Sequence, residues 1–204
     1  MLFHEIIFGI HIYLVTLLIL VAIIGDYVVQ YSKLHIYKAF FDNITHAIIG
    51  GLSWLIVCLY FKNRYPLHTL FEIALCTITA SFIDLDHFIA ARSFNLKDAT
   101  NLQNRPLLHC SSLLLLLTLS VILIAYFVQI RWLLRLGLII FIAFTSHHTR
   151  DATRRGFWIY PWGSTTPISY VLYIILTILI PYFVCLVMHY IDITERQNEY
   201  IRIV

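Results

Sequence analysis

Carboxylates and imidazoles recur at the edges of the apolar segments of this chain, in arrangements that could bind a metal ion. Asp42 and His46 are four residues apart, and so are His147 and Asp151. Residues four apart on a helix share a face, so each pair can present an oxygen and a nitrogen to one point. Ionisable groups at membrane depth are costly and by default mark functional sites. The spacing therefore favours a metal site, although Asp42 is equally well explained as a helix N-cap.

A second group of polar residues ends one apolar segment and begins the next. Asp84, Asp86 and His87 lie within four residues. Two carboxylates and an imidazole this close to hydrocarbon repel or titrate unless something neutralises them, and a cation is the simplest partner. His109 alone would more often be a hydrogen-bonded core histidine than a ligand. Taken together, the predicted metal ligands are His46, Asp84, Asp86, His87, His109, His147 and Asp151.

The composition is that of a membrane protein. Of the 204 residues, 60% are hydrophobic and 12% are charged, and the mean hydropathy is +0.83. Soluble domains are about 45–50% apolar and about 25% charged. No linker rich in Pro, Gly or Ser divides the chain, so residues 1–204 are predicted to form a single integral-membrane domain whose motif-bearing core covers 42–161. The four cysteines contain no Cys-x-x-Cys motif, which argues against a disulfide framework and a thiolate zinc site.

Six apolar segments predict an all-α fold, a polytopic membrane helix bundle of about six transmembrane helices. They cover residues 6–24, 44–61, 67–83, 107–128, 132–146 and 168–188. A span needs about 20 residues to cross about 30 Å of hydrocarbon, so the third and fifth segments are expected to be short spans. Short spans favour a thin membrane, such as that of the endoplasmic reticulum or another early-secretory compartment. The lipid bilayer is the predicted partner, and no nucleic acid is expected.

Alternation of these spans would gather the polar residues at one membrane face. The starts of spans two and four and the ends of spans three and five then lie on the same side. Every predicted ligand falls at one of these four points, and Asp26 joins them at the end of the first span. Scattered buried polar residues would fall on either side equally often, so the pattern favours one convergent site.

Basic residues beside the predicted ligands suggest the class of substrate. Guanidinium groups match phosphate oxygens bidentately, which indicates a phosphoester. The predicted substrate-binding residues are Arg105, Arg150, Arg154 and Arg155. The alternative is topological, because Lys and Arg accumulate in cytoplasmic loops. Basic residues are divided almost evenly between the two faces, so the orientation in the membrane stays open.

Four short motifs resemble those of a known family. In order they are His46 at a helix start, Ile83-Asp84-Leu85-Asp86-His87, Asn104-Arg105-Pro106-Leu107-Leu108-His109, and Ser146-His147 through Asp151 to Gly156. Over roughly 42–161 the chain resembles the YdjM-type membrane-bound metal-dependent hydrolases, and within them it is most similar to the eukaryotic transmembrane protein 267 family. The resemblance implies that Asp84, Asp86, His109, His147 and Asp151 are metal or catalytic residues, with His46 as the first ligand.

The resemblance also implies a reaction. YdjM-type proteins are considered related to zinc-dependent phospholipases C and P1-type nucleases, which implies phosphoester hydrolysis on a lipid or headgroup with one or two divalent ions. Zinc is the expected metal, with Mn, Fe and Ni as alternatives because the ligands lack thiolate. Asp84 or Asp86 would orient or deprotonate the water, and the catalytic set includes Arg105, which with Arg154 would hold the phosphate.

Two departures leave other functions open. Ile83 replaces a proline of the family pattern, and Asn104 replaces a histidine that would otherwise be an imidazole ligand. The loss of a ligand favours a catalytically degenerate scaffold or chaperone-like protein as the alternative. His148 could replace the missing imidazole only if the helix opens, because adjacent residues point about 100° apart. An ion-binding transporter is the further alternative, for which Glu72 is the inward-leading acidic residue.

Overall fold

The computed structural model describes residues 2–61 and 66–203, with side chains described for 9–61 and 66–192. Eight α-helices dominate these residues, together with two single-turn 3-10 helices and one short hairpin. The helices are α1 (Leu2–Tyr31), α2 (His35–Tyr60), α3 (Pro66–Phe82), α4 (Asp86–Ala91), α5 (Leu96–Thr100), α6 (Ser111–Phe127), α7 (Arg131–Arg155) and α8 (Tyr170–Ile203). The 3-10 turns are Ile83–Leu85 and Leu107–His109, and the hairpin pairs β1 (Trp158–Ile159) with β2 (Gly163–Ser164).

The protein is an all-α, multi-pass integral membrane protein, as the sequence predicts. Five helical segments in the described residues are long and apolar enough to cross a membrane; they cover 9–31, 35–60, 66–91, 131–155 and 170–192. The remaining apolar segment, the fourth along the chain, forms the 17-residue α6, which is shorter. Each of the six apolar segments of the sequence therefore lies in a helix of the bundle.

The prediction that the third and fifth spans are short is wrong. The third span continues through the turn Ile83–Leu85 into α4, and the fifth continues to Arg155, giving lengths of 26 and 25 residues. The fifth extends beyond its apolar stretch with neighbouring helices around its next polar residues, since residues 146–150 are buried. The third continues into α4, of which Asp86 is buried and Ile89 is exposed. The fourth span is the short one, since a 3-10 turn delays its start to Ser111.

α2 and α7 form the centre of the bundle. α2 contacts α1, α3, α7 and α8, while α7 also contacts α3 and α6. Small residues allow close approach where α2 crosses α3, because a Cβ on Gly50 would lie 2.8 Å from the Cβ of Ala80. The core on that side includes Trp54, Cys76 and Ile142. This packing fixes the depth of α3 against both central helices.

α7 ends where the chain turns back toward the bundle. Gly156 follows its last residue with φ +67°, and a Cβ there would lie 2.0 Å from the carbonyl oxygen of Thr165. Glycine is therefore required at this position. The hairpin after it returns the chain against α7, where the Ile168 N–H donates to the carbonyl oxygen of Ala152 at 3.0 Å. The last turn of α7 is thereby held at the same end of the bundle as the start of α2.

Candidate metal centre

Five of the predicted ligands meet at one end of the bundle. His46 comes from the first half of α2, Asp84 from the 3-10 turn after α3, and His109 from the 3-10 turn before α6. His147 and Asp151 come from successive turns of α7, so the spacing of four residues does place them on one face. Elements that lie far apart in the sequence therefore place imidazoles and carboxylates around one point.

The distances among four donor atoms match those of a tetrahedral metal shell. The Nε2 atoms of His109 and His147 lie 3.4 Å apart. The Oδ1 atom of Asp84 is 3.5 Å from the first and 3.6 Å from the second. The Oδ2 atom of Asp151 is 3.5 Å from each. Atoms bound tetrahedrally at about 2.0–2.2 Å lie about 3.3–3.6 Å from one another. Five of the six edges of such a tetrahedron are thus present.

His46 adds an unsatisfied imidazole beside these four atoms. Its ring stacks on His147 with centroids 3.7 Å apart, and its Nε2 is 3.5 Å from the Oδ1 of Asp151. The side chain is 1% exposed, and neither ring nitrogen has a hydrogen-bond partner among the described residues. A buried polar atom without a partner is costly, so a cation bound through Nε2 would satisfy it. His46, His147 and Asp151 can offer three donor atoms within 4.8 Å of one another.

The tautomer of His147 follows from its backbone contact. Its Nδ1 lies 3.0 Å from the carbonyl oxygen of Ala80 on α3. A carbonyl only accepts, so Nδ1 carries the proton and Nε2 keeps its lone pair toward the centre. Ligating histidines are commonly oriented in this way by a second hydrogen bond. The close crossing of α2 and α3 at Ala80 thereby helps to aim an imidazole carried by α7.

Asp86 lies behind His109 and not among the four donor atoms. Its carboxylate accepts from the Leu108 N–H at 2.7 Å, and its Oδ1 is 3.2 Å from the Nδ1 of His109. His109 therefore turns Nδ1 to Asp86 and Nε2 to the centre. This geometry favours a positioning role for Asp86. His87 lies 3.3 Å from Asp86 and 4.0 Å from Asp84. Asp84, His87 and His109 offer a second group of three donor atoms within 4.8 Å.

The surroundings of His109 hold a proton on its ring when no cation is bound. Burial by itself lowers the pKa of His109, but hydrogen bonds to Asp84 and Asp86 and the charge of Asp151 outweigh it and raise the pKa to about 9. The carboxylates thus make this end of the bundle a strongly cation-attracting site.

His148 does not face the centre. Its Nε2 is 2.9 Å from the carbonyl oxygen of Leu108, and its Nδ1 is 3.0 Å from the hydroxyl of Ser111. One neutral tautomer satisfies both, with Nε2–H donating to the carbonyl and Nδ1 accepting from the hydroxyl. His148 therefore cannot replace the imidazole that Asn104 lacks. It holds the turn that carries His109 instead.

Sequence reasoning missed the part that Asn43 plays. The Asn43 amide donates to the carbonyl oxygen of Ser81 at 2.8 Å and to the Oδ2 of Asp84 at 3.3 Å. It also accepts from the Ser81 hydroxyl at 2.6 Å. These bonds orient Asp84 from α2. The only signal in the sequence is that Asn43 precedes His46 by three residues, which places both on one helix face.

The four arginines predicted to bind substrate have different environments. Arg105 donates to the carbonyl oxygens of Arg155 and Gly156 and so closes the end of α7. Arg150 is buried, with NH1 2.7 Å from Asp42 and NH2 2.8 Å from Asp26.

The other two lie closer to solvent. The Arg154 guanidinium donates twice to the carboxylate of Asp42, at 2.8 and 3.1 Å, and lies 3.4 Å from Asp151. Arg155 is exposed. Arg154 and Arg155 thus remain near enough to the surface to meet a substrate, whereas Arg150 joins α1, α2 and α7.

The chain has relatives that share most of its length. It is 43% identical over 160 residues to Transmembrane protein 267 of Danio rerio. The matched stretch covers 78% of this chain and 70% of the relative. The chain belongs to the Transmembrane protein 267 family. The relatives of that name from Xenopus laevis and Bos taurus are 42% identical over 153 residues and 37% identical over 164 residues. They are matched over 69% and 74% of their own length, and over 74% and 79% of this chain.

Membership of the Transmembrane protein 267 family confirms that part of the resemblance seen in the sequence. No family model matches the chain, and no solved structure matches it. The relationship to YdjM-type hydrolases therefore stays a prediction.

A cavity of about 550 Å³ adjoins the donor atoms in this member of the Transmembrane protein 267 family. Asp84, His109 and Asp151 line one side of it. Asn104 also lines it, at the position where the family resemblance would put an imidazole. The volume is in the range of small-molecule sites, which is about 300–1,000 Å³. The centre is thus accessible to a substrate and is not sealed within the bundle.

Proposed function

We propose that this protein is a metal-dependent hydrolase that acts on a phosphoester, as a lipid or a headgroup, at the membrane interface. The observation that carries the proposal is the set of five donor-atom distances between 3.4 and 3.6 Å around His109, His147, Asp84 and Asp151. Structural ion pairs do not require two imidazoles and two carboxylates to face one point. A tetrahedral divalent ion does.

The donor set fits zinc best among the divalent ions. Nitrogen and oxygen ligands at tetrahedral spacing suit zinc, while Mn, Fe and Ni accept the same ligand types in other geometries. The unpartnered nitrogens of His46 support the fit independently, because a fifth donor is already positioned beside Asp151. The residues that would hold the ion are His109, His147, Asp84 and Asp151, with His46 adjoining.

Substrate would enter through the cavity. A bound divalent ion supplies Lewis acidity, which polarises a phosphoryl oxygen and lowers the pKa of water. Hydrolysis joins the water oxygen to phosphorus and breaks the bond from phosphorus to the alcohol oxygen. Of the two predicted catalytic carboxylates, Asp84 lines the cavity and Asp86 lies behind His109. Asp84 would bind the ion through Oδ1, so its other oxygen, Oδ2, is the atom that would orient the water and accept its proton. The departing alcohol takes up a proton in turn.

The arginines would divide the remaining tasks. Arg154 and Arg155 line the cavity and would bind the phosphate, with Arg154 already held by Asp42. Arg105 and Arg150 would hold the helices of the site in place and would not bind substrate. Arg105 already donates to backbone carbonyls, and Arg150 is paired with two carboxylates. The proposed location is an early-secretory membrane. The support for it is the short α6, because a short helix matches a thin membrane.

A degenerate scaffold is the second candidate function. The observation that favours it is Asn104, which lines the cavity where an imidazole is expected. Such a protein would bind the ion as a structural element and turn over no substrate.

A transporter receives less support. Conduction needs polar groups at successive depths. Glu72 is instead bound by Arg135 and by the indole N–H of Trp54, and buried Cys76 and Ala80 follow it along α3 toward the centre.

Metal content and phosphate release together test the proposal. We expect the purified full-length protein to bind about one zinc per chain and to release phosphate or headgroup from lipid phosphoesters. His147→Gln and Asp84→Asn should both lower metal content, and Asp84→Asn should also abolish turnover. His189→Gln and Asp192→Asn, which change an imidazole and a carboxylate in α8 outside the centre, should do neither. Full metal content without turnover on any phosphoester would overturn the hydrolase in favour of the scaffold. Equal metal content in wild type and His147→Gln would overturn the metal centre.

A further inference from the structure

We infer that the substrate is an anionic amphiphile, whose apolar chain occupies the cavity while its phosphate lies at the metal centre. This inference rests on the proposed function and narrows it, because a headgroup phosphoester without a chain would leave most of the cavity empty.

Apolar side chains form one part of the lining, beside polar ones such as Thr100 and Asn104. Phe40 of α2 and Phe82 of α3 face the cavity, and Leu85, Phe88 and Leu102 follow along the chain. A sugar or nucleotide placed against these five side chains would leave hydroxyl groups without hydrogen-bond partners, which is unfavourable. A hydrocarbon chain would instead be removed from water by the same contacts, which is favourable. The chemistry of the wall therefore favours an alkyl or acyl chain.

The cavity opens beside the surface that lipid would cover. Phe40 and Phe82 both line it and are nevertheless 57% and 58% exposed. Both belong to helices long and apolar enough to span the membrane, and each lies near the end of its helix that carries the centre. A chain could therefore pass from the bilayer into the cavity without crossing water.

The edge of the cavity carries the charge that an anionic headgroup needs. Lys38, Arg154 and Arg155 contribute to the lining. In the described part of the chain neither Lys38 nor Arg155 has an ion-pair partner, whereas Arg154 is paired with Asp42. Two cations without internal partners, beside a centre whose carboxylates a metal would neutralise, are complementary to a phosphate.

A non-hydrolysable probe tests binding separately from turnover. The zinc-loaded full-length protein in phosphatidylcholine nanodiscs is photolabelled with a 12-carbon alkylphosphonate that carries a terminal diazirine, and the labelled peptides are mapped by mass spectrometry. We expect labelling of residues 82–102. Dodecylphosphonate should compete at least tenfold more strongly than methylphosphonate or dodecanol. Comparison with dodecylphosphocholine as competitor tells a monoester-like headgroup from the diester of a phospholipid.

Variants complete the test. Phe82→Ser should lower labelling about tenfold, because it replaces a phenyl ring of the apolar wall with a hydroxyl group. Arg155→Gln should weaken competition by dodecylphosphonate but not by dodecanol. Phe127→Ser, which changes an exposed phenylalanine of α6 outside the cavity, is the matched control and should leave labelling unchanged.

The outcomes separate this inference from the hydrolase proposal. Chain-dependent labelling without turnover of any phosphoester would refute the hydrolase and leave the amphiphile site in place. Turnover of water-soluble phosphoesters, with methylphosphonate competing as well as dodecylphosphonate, would refute the amphiphile and leave the hydrolase. Labelling that is equal in Phe82→Ser and Phe127→Ser would also refute the amphiphile site.

Discussion

Asp86→Asn should weaken metal binding although Asp86 is not one of the four donor atoms at the centre. The carboxylate accepts from the Leu108 N–H at 2.7 Å and lies 3.2 Å from the Nδ1 of His109. In Asp86→Asn the NH₂ group would replace Oδ1, which lies 3.2 Å from Nδ1, and the remaining oxygen, 3.3 Å from Nδ1, would have to accept from both Leu108 and His109. A donor that faces Nδ1 disfavours the tautomer with its proton there and favours the tautomer with the proton on Nε2, which cannot bind metal.

The magnitude follows from the loss of one oriented imidazole. Removal of the group that orients a ligating histidine typically costs 10–100-fold in metal affinity, or about 1.4–2.8 kcal/mol. We therefore expect the zinc affinity of Asp86→Asn to fall by that factor, measured by competition with a chromophoric chelator. The absorption spectrum of the cobalt-substituted protein should change as well, because the donor set changes.

Asp98→Asn is the matched control. Asp98 accepts from the Ser93 hydroxyl on the surface and has no contact with the centre, so its zinc affinity should equal that of wild type. An affinity for Asp86→Asn within twofold of wild type, with an unchanged cobalt spectrum, would refute the assignment of Asp86 as the group that orients His109.

Three other predictions follow from the same end of the bundle. His148→Phe should lower zinc affinity about tenfold, because it releases the turn that carries His109. His148→Gln keeps a hydrogen-bond donor and should restore part of the lost affinity. Equal zinc affinities of the two variants would contradict this. Arg150→Met should destabilise the protein by about 3 kcal/mol in denaturant unfolding, because Asp26 and Asp42 lose a buried partner, and a loss below about 1 kcal/mol would contradict it. The folded pKa of His109 is raised to about 9, so the stability that protonated His109 adds to the metal-free protein is fully present below about pH 6.5 and is lost as the pH rises through 9. Thermal unfolding of the metal-free protein should therefore show stability falling across that window. The fall should be steeper in wild type than in Asp86→Asn.

The helices and the face of the site could be predicted from the sequence because both depend on simple periodicities. Apolar runs locate all six helical segments, and a spacing of four residues places His147 with Asp151. Alternation of the spans then brings His46 and His109 to the same end. These inferences need only the geometry of one helix and the thickness of a bilayer.

Helix lengths and the roles of supporting residues could not be predicted in this way. The last turns of α7 are polar, and the burial of residues 146–150 among other helices is not visible in a local pattern. Whether Asp86 binds a metal or orients His109 depends on which ring nitrogen faces it, and two 3-10 turns decide that. Asn43 and His148 act through contacts with backbone and side chains that are distant in sequence. Local patterns carry no information about such contacts.

The donors at the centre come from α2, from both 3-10 turns and from α7, which has consequences for biosynthesis. His46 is made early and Asp151 late, so no partial chain that ends before α7 contains the complete donor set. Asp84 must enter the membrane before His147 and Asp151 exist to share a cation with it, and in that interval Asn43 from α2 is the hydrogen-bond partner already available. An ion bound as proposed would be captured in full only once α7 has joined the other helices. Metal loading would then report the completion of membrane insertion, and an assembly factor that delays α7 would delay loading by the same interval.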